Sequence, residues 1–302
     1  EIEGWEKSVR SYRLEDSTDI VITGSNSKML SSELSTLIGG RYQEIYVQSL
    51  SYIEFLCFHN LEDNDEALWK YINYGGLPGL IQTGLDDEDL VWDYIKGVYH
   101  TVVLKDIVER HSIRNIAFLN VLLRYFSDTV GKLTSLNNIS RYMKSLGQDI
   151  AVKSVSTYLS YFRDAYLLAS VGRYDVHGKR LLASNEKLYF GDVGIRNLIA
   201  GGEREGDIEK VLENIVYQQL LRMGYTVNVG QLKAGEVDFV CTRTNERVYV
   251  QVAYLVASPQ TEEREFGCLE NINDNYPKYV ISMTPFVKRS DRDGITHIGL
   301  RE

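Results

Sequence analysis

The sequence predicts a chain of several domains that combines α/β and α+β architecture. Its 302 residues exceed what one ordinary hydrophobic core organises. An unbroken run of mainly β-branched residues at 20–23, followed by a polar turn and a helical pattern, is typical of a parallel α/β sheet. Residues 207–302 instead follow the order αβββαβ, which indicates an α+β domain at the C-terminal end.

The composition is that of a globular protein, with 44% hydrophobic and 25% charged residues. No apolar segment approaches the length of a transmembrane helix, and the start lacks a signal pattern, so we expect a cytoplasmic protein with no membrane partner. The net charge of -9 argues against a surface covered in nucleic acid but leaves room for a local basic patch. The cysteines and histidines lack metal-site or disulfide spacing.

Residues 19–42 contain the first specific motif of the chain. The apolar run ends at a glycine, and the next two residues are Ser25 and Asn26. In an open parallel sheet, residues just past the carboxyl end of a strand face the ligand crevice. A helix then follows, with leucines at helical spacing, and paired glycines end it directly before Arg41.

This motif resembles the second half of the nucleotide-binding core of AAA-family P-loop ATPases, in the bacterial and archaeal group with an uncharacterised C-terminal domain. The resemblance implies that Asn26 is the sensor of the attacking water or the γ-phosphate, with Ser25 at the same nucleotide site. It also implies that Arg41 is an arginine finger, which neutralises charge on the phosphoryl group held by a neighbouring subunit. A turn role for Asn26 and a surface ion pair for Arg41 are the alternatives.

The same resemblance indicates that the phosphate-binding loop lies outside these residues. Residues 1–7 match the family just after its acidic Walker B strand, and no GxxxxGK[ST] motif occurs in the chain. We therefore expect a fragment of a longer protein that binds ATP and Mg²⁺. These residues alone should not hydrolyse ATP.

Residues 1–58 would thus be the C-terminal part of the nucleotide core, with a second short strand at 43–48, and residues 59–112 a helical lid. Within the lid, YGGLPGL at residues 74–80 combines two glycines with a proline, which favours a rigid corner between helices. The helix that follows carries exposed charges compatible with a subunit contact. A protein partner or a homo-oligomer is the expectation from this segment.

Residues 113–200 are predicted to form a winged helix. Three helical segments, at 117–126, 135–146 and 154–166, precede two short strands, which is the order of a DNA-binding winged helix. Residues 187–196, KLYFGDVGIR, resemble a segment of the same ATPase family and are the second specific match.

Duplex DNA is the candidate ligand of this domain. Its phosphates would contact basic side chains of the third helix and of the hairpin, namely Lys153, Arg163, Arg173, Lys179 and Arg180. Asp164 and Asp175 lie near them in sequence, and many winged helices bind only protein, so protein binding is the alternative.

Residues 207–302 resemble the restriction-endonuclease-like fold, through GEVDFV at 235–240 and YVQVAY at 249–254. Such a nuclease needs an Asp on one strand and ExK on the next, so that carboxylates hold Mg²⁺ while the lysine positions water. Asp238 fits, but Gln251 replaces the glutamate and Ala253 replaces the lysine. Glu213 and Glu236 could still join Asp238 around one divalent cation. The favoured interpretation is a degenerate nuclease fold kept for interactions.

The sequence therefore predicts the C-terminal part of an AAA-family ATPase whose accessory domains contact DNA or protein. One alternative is a DNA-binding regulatory protein in which the ATPase half only switches the state of the protein. Another is a surviving Mg²⁺-dependent nuclease, whose cleavage Asp238→Ala should abolish.

Overall fold

The computed structural model describes residues 5–12, 19–26, 43–202, 205–233, 235–285 and 290–302. The α-helices are α1 (Trp5–Tyr12), α2 (Tyr52–His59), α3 (Asp65–Tyr74), α4 (Leu80–Thr83), α5 (Glu88–Thr101), α6 (Ile116–Asp128), α7 (Leu136–Ser145), α8 (Val152–Asp164), α9 (Val193–Ala200), α10 (Ile208–Arg222) and α11 (Pro259–Glu270). A π-helical segment, Val102–Glu109, continues α5, and a 3-10 turn, Glu205–Asp207, precedes α10. The strands are β1 (Leu168–Asp175), β2 (Arg180–Phe190), β3 (Thr226–Gln231), β4 (Glu236–Arg243), β5 (Glu246–Ala253), β6 (Lys278–Ser282), β7 (Ser290–Arg292) and β8 (Ile295–Gly299).

The strands of the described residues form one mixed sheet in the order β2-β1-β3-β4-β5-β6-β8-β7. The pairs β1/β3, β5/β6 and β6/β8 are parallel, and the other neighbours are antiparallel. The C-terminal elements run α10, β3, β4, β5, α11 and β6, and β7 and β8 extend the sheet beyond them. The mixed α/β class predicted from the sequence is therefore confirmed.

Helices α10 and α11 pack in two separate cores of the central sheet. Leu212 of α10 belongs to the same core as Phe239 of β4, whereas Phe266 of α11 belongs to the core that contains Val240. Residues 239 and 240 are consecutive, so their side chains point to opposite faces of the sheet. Burial on both faces explains why β4 is almost continuously apolar from Val237 to Cys241, with Asp238 as the exception.

The β1–β2 hairpin is part of this sheet. Helices α6, α7 and α8 precede it, close to the segments predicted as helical, and an antiparallel bridge joins Thr134 to Glu186 of β2. The free side of β1 pairs in parallel with β3, where residues 173–175 align with residues 229–231. The sheet thus runs without a break across the predicted boundary between residues 200 and 207.

The strands predicted at residues 20–23 and 43–48 are wrong in this structure. Both runs lack regular secondary structure, and Val21 is 85% exposed. A strand needs a neighbour for its backbone hydrogen bonds, and in the described part of the chain no strand pairs with either run. β-branched composition alone therefore did not fix their conformation.

Two segments that stand out in the sequence meet at helix α9. Asp192 caps α9 by accepting hydrogen bonds from Gly194 N (2.9 Å) and Ile195 N (3.2 Å) with Oδ1, while its Oδ2 accepts from Gly76 N (2.9 Å). A Cβ on Gly194 would lie 2.0 Å from the carbonyl oxygen of Tyr74, so this close approach requires glycine. The predicted corner at residues 74–80 is thus docked on the KLYFGDVGIR segment.

None of the described helices is both long enough and apolar enough to cross a lipid bilayer.

Candidate functional site

A buried lysine joins three carboxylates where the hairpin meets the rest of the sheet. Lys187 Nζ lies 2.9 Å from Glu213 Oε1, 3.0 Å from Glu236 Oε1 and 3.1 Å from Asp238 Oδ1. Lys187 is 1% exposed and comes from β2, whereas its partners come from α10 and the start of β4. We call these four residues the lysine–carboxylate cluster.

Glu213 is held in the cluster from several sides. Tyr189, two residues after Lys187 on the same strand, donates its hydroxyl hydrogen to Glu213 Oε1 at 2.5 Å. The Tyr189 ring stacks on Tyr217 of α10, with centroids 4.6 Å apart. Gly131 has a positive φ of 72°, and a Cβ at this position would lie only 2.7 Å from Glu213 Oε2. The glycine therefore leaves room for the carboxylate.

Asp238 and Gln251 lie side by side on β4 and β5. The amide oxygen of Gln251 accepts from Asp238 N at 3.1 Å, and Asp238 Oδ2 accepts from Val252 N at 3.0 Å. Gln251 Nε2 donates to Glu265 Oε2 at 2.9 Å. Strands β4 and β5 are thus neighbours in the sheet, and Gln251 links Asp238 to α11.

Electrostatics in the cluster follow from burial and crowding. Burial raises the pKa of Glu213 to about 8, with repulsion from Asp238 adding to the rise and attraction to Lys187 opposing it. Burial alone would lower the pKa of Lys187, but the three carboxylates raise it above its ordinary value. Lys187 therefore stays charged, and the protonation equilibrium of Glu213 falls near neutral pH.

A cavity of about 540 Å³ opens beside the carboxylates. Its acidic lining residues are Glu209, Glu213, Glu236, Asp238, Glu263 and Glu265. Arg264 also lines it, but its guanidinium lies 2.6 Å from Glu265 Oε1. An anionic cavity repels a phosphodiester backbone unless cations bind first.

No group of three or more His, Cys, Asp or Glu side chains could hold a metal ion in the part of the chain that the structure describes. In the lysine–carboxylate cluster, the Lys187 ammonium lies between the carboxylates. The metal role predicted for Asp238 and Glu236 therefore competes with an internal cation. Ala253, at the predicted lysine position, is 1% exposed and offers no amine.

The residues predicted for the nucleotide site lie elsewhere. Asn26 is fully buried, and Ser25 donates its hydroxyl hydrogen to Asp106 Oδ1 of the π-helical segment at 3.0 Å. Arg41 falls outside the described residues. The structure thus links the segment after the first apolar run to the lid region.

The five basic residues predicted to contact DNA differ in accessibility. Lys153 and Arg163 are exposed on α8, and Lys179 is exposed at the hairpin tip. Arg180 is exposed and lies 3.9 Å from Asp175 Oδ2. Arg173 is half-buried and donates a hydrogen bond to Gln231 of β3, so its guanidinium is engaged within the sheet.

Comparison with known protein families identifies the class of the N-terminal segment. Residues 1–56 match a family described as AAA domain, which confirms the AAA prediction for the N-terminal segment. Residues 65–205 match a domain of unknown function, DUF8612. No solved structure matches the chain.

Two longer relatives then define the family. An uncharacterized protein of Haemophilus influenzae is 36% identical over 298 residues, which cover 97% of this chain and 72% of that protein. An uncharacterized protein of Methanocaldococcus jannaschii is 32% identical over 286 residues, covering 89% of this chain and 62% of that protein. The chain belongs to the family of the Haemophilus protein, and its N-terminal segment carries the AAA match.

Proposed function

We propose that this chain works within an ATP-dependent protein of the AAA class, in which the segments after the AAA domain contact DNA or protein. The match of residues 1–56 to the AAA domain carries this proposal. ATP and Mg²⁺ are the cofactors it requires. They would bind where residues 1–56 meet a phosphate-binding loop, which the present sequence does not contain.

Three residues have roles in this proposal. Asn26 senses the γ-phosphate, Ser25 lies next to it, and Arg41 acts on nucleotide bound to a neighbouring copy. The hydrogen bond from Ser25 to Asp106 supports a connection between the sensor and the lid, because it ties residues 81 positions apart. A finger that acts between subunits requires a homo-oligomer.

ATP turnover tests the proposal. The protein as naturally translated should release phosphate in a Mg²⁺-dependent reaction, and Arg41→Ala should lower the turnover number at least about tenfold, because charge on the transferred phosphoryl group is left uncompensated. Turnover is measured with and without duplex DNA. Arg114→Ala, at an exposed position just after the predicted lid, is the matched control and should change little. Absence of turnover under every condition would contradict the enzymatic proposal and leave a binding or scaffolding role.

We further propose that residues 113–200 form a winged helix that binds duplex DNA. The order of α6, α7, α8 and the hairpin supports this fold, and so does the isolated bridge between Thr134 and Glu186, which ties the segment before α7 to the hairpin. In this arrangement α8 is the recognition helix. Lys153 and Arg163 are exposed on this helix, so their charged groups are available to contact phosphate groups.

The double variant Lys153→Ala/Arg163→Ala should weaken duplex binding and reduce the slope of log K against log salt by about 2, or about 1 for each lost phosphate contact. Fluorescence anisotropy across a salt series measures both quantities. Lys96→Ala removes one exposed cation from α5 and should leave the slope unchanged. A double variant that binds like the parent protein would favour a protein ligand for this domain.

For residues 207–302 we propose a restriction-endonuclease-like fold without nuclease chemistry, used as an interaction domain. Glu213, Asp238 and Gln251 line one cavity, as this fold requires. Yet Gln251 and Ala253 lack the needed charges, and Lys187 replaces a metal between the carboxylates. Mg²⁺-dependent DNA cleavage that Asp238→Ala abolishes would favour the nuclease alternative.

A further inference from the structure

A hydrogen bond joins the first polar turn of the chain to the segment that follows α5. Ser25 Oγ donates to Asp106 Oδ1 at 3.0 Å, and Asp106 lies in the π-helical segment Val102–Glu109. We propose that this bond holds the π-helical segment in its present register, and that nucleotide bound at the turn releases it. This release rests on the nucleotide site proposed above, and it makes Asp106 a positioning residue.

The π-helical segment is suited to a change of conformation. Its bonds run from residue i to i+5, and such helices are rare and occur frequently at functional sites. The segment continues α5 directly, so the i to i+4 bonds of an α-helix are the alternative arrangement. One side of it packs in the core, where Val103 is 3% exposed and Ile107 is fully buried, while Leu104 and Lys105 are exposed on the other.

The turn that carries Ser25 must move when a phosphate binds there. The next residue, Asn26, has no exposed surface. A γ-phosphate can therefore contact the Asn26 side chain only after this turn rearranges, and Ser25 moves with its neighbour. The hydrogen bond to Asp106 is exposed to water and contributes only a small net free energy. Charge-assisted contacts with a triphosphate are stronger, so they offset its loss.

The far end of the π-helical segment leads to α8. His111 follows the segment and stacks on Tyr161 of α8, with ring centroids 3.6 Å apart and an angle of 11° between the ring planes. A change of register turns the residues after the segment about the helix axis, and the stack then breaks. An element with two discrete arrangements can couple distant sites in this way. The nucleotide site is thereby coupled to the proposed recognition helix.

The proposed release has a distinctive thermodynamic consequence. Because the bond between Ser25 and Asp106 opposes nucleotide binding, its removal should tighten that binding, as linkage requires. The net contribution of one hydrogen bond corresponds to about 2- to 10-fold in affinity. A residue with a purely structural role would instead weaken binding, or leave it unchanged, when it is replaced.

The test uses the protein as naturally translated, with a non-hydrolysable ATP analogue and Mg²⁺ as the probe. Titration calorimetry measures the dissociation constant, and hydrogen exchange measures local opening. In the parent protein the analogue should raise the exchange rates of amides in the π-helical segment and around Tyr161. Asp106→Ala should raise the rates of the segment without nucleotide, and it should tighten binding of the analogue about 2- to 10-fold. The analogue should then cause little further rise.

Matched variants isolate the hydrogen bond. Asp106→Asn removes the charge that lies 4.0 Å from Arg110 but keeps an oxygen that accepts from Ser25, so it should behave like the parent protein. Glu109→Gln alters an exposed carboxylate of the same segment and should also match the parent. Tyr161→Leu removes the stack and should abolish the response of α8 alone. Asp106→Leu keeps a similar shape without an acceptor and provides a second test if the alanine variant folds poorly.

The two kinds of failure can be distinguished. A parent protein that does not bind the analogue contradicts the proposed function, and this inference with it. An analogue that binds without changing exchange in the π-helical segment overturns the inference alone. Weaker or unchanged binding in Asp106→Ala and Asp106→Leu would also overturn it, as would failure of both variants to fold. Equal tightening in Asp106→Asn would do the same, because the charge rather than the hydrogen bond would then be the cause.

Discussion

Asp192→Ala is expected to lower the free energy of unfolding by about 3–5 kcal/mol. The side chain is 5% exposed and accepts hydrogen bonds from the backbone nitrogens of Gly76, Gly194 and Ile195. Alanine would leave these three donors unsatisfied in a buried place, and each such group costs about 1–3 kcal/mol. Because the losses share one site, they should not add fully. Urea unfolding followed by circular dichroism measures the change.

Asp192→Asn is the matched control for this prediction. Its amide oxygen can still accept from Gly194 N and Ile195 N, but its NH₂ group would face the Gly76 N–H, so only that contact is lost. We expect about half of the alanine effect. Equal losses in the two variants would mean that the charge of Asp192, rather than its separate hydrogen bonds, determines the stability of this junction.

Asp207→Ala is expected to be similarly destabilising, by about 3–5 kcal/mol, because it leaves a buried guanidinium without its counter-ion. Arg196 is 2% exposed, and its NH2 group donates to Asp207 Oδ2 at 2.6 Å. The same guanidinium donates to the carbonyl oxygen of Ser127, which satisfies hydrogen bonds but supplies no opposite charge. Urea unfolding again measures the loss.

Two further variants test whether burial of the Arg196–Asp207 ion pair causes the loss of stability. Asp207→Ala/Arg196→Met removes both charges of this pair and should be less destabilising than Asp207→Ala alone, since the guanidinium no longer remains buried without a counter-ion. Lys210, whose side chain is 20% exposed, loses its contact with Asp207 in both variants and so does not affect the comparison. Asp65→Ala breaks an ion pair with Arg301 in which Asp65 is 85% exposed, and exposed pairs contribute only about 0–1 kcal/mol. If the two single aspartate variants lost equal stability, burial of the Arg196 pair would not be the cause.

Local patterns predicted those parts of the fold that depend on neighbouring residues. Helices α6, α7 and α8 begin near their predicted positions, where Asn115 and Ser135 cap the first two by accepting from backbone nitrogens. The AAA domain was also recognisable from a short motif, and the family comparison confirms it. The apolar run at residues 20–23 gave a wrong strand, since pairing depends on a distant partner that the pattern does not specify.

The cluster at Lys187 could be predicted only in part. The sequence named Glu213 only as a possible cation ligand beside Asp238, and a buried acid requires a partner. The partner lies 26 residues earlier, in strand β2, and reaches Glu213 only because the hairpin joins the sheet. That tertiary step has no local sequence signal, so Lys187 and Tyr189 were not recognised as site residues.

The parallel pairing of β1 with β3 also determines how this protein can be divided. Cutting the chain at residue 202 would keep β1 but remove its neighbour, exposing the backbone groups of residues 173–175 that now pair with residues 229–231. An unpaired strand edge is a template for association with other chains. A piece that includes the hairpin and keeps this edge of β1 paired must therefore extend at least through β3, to residue 231.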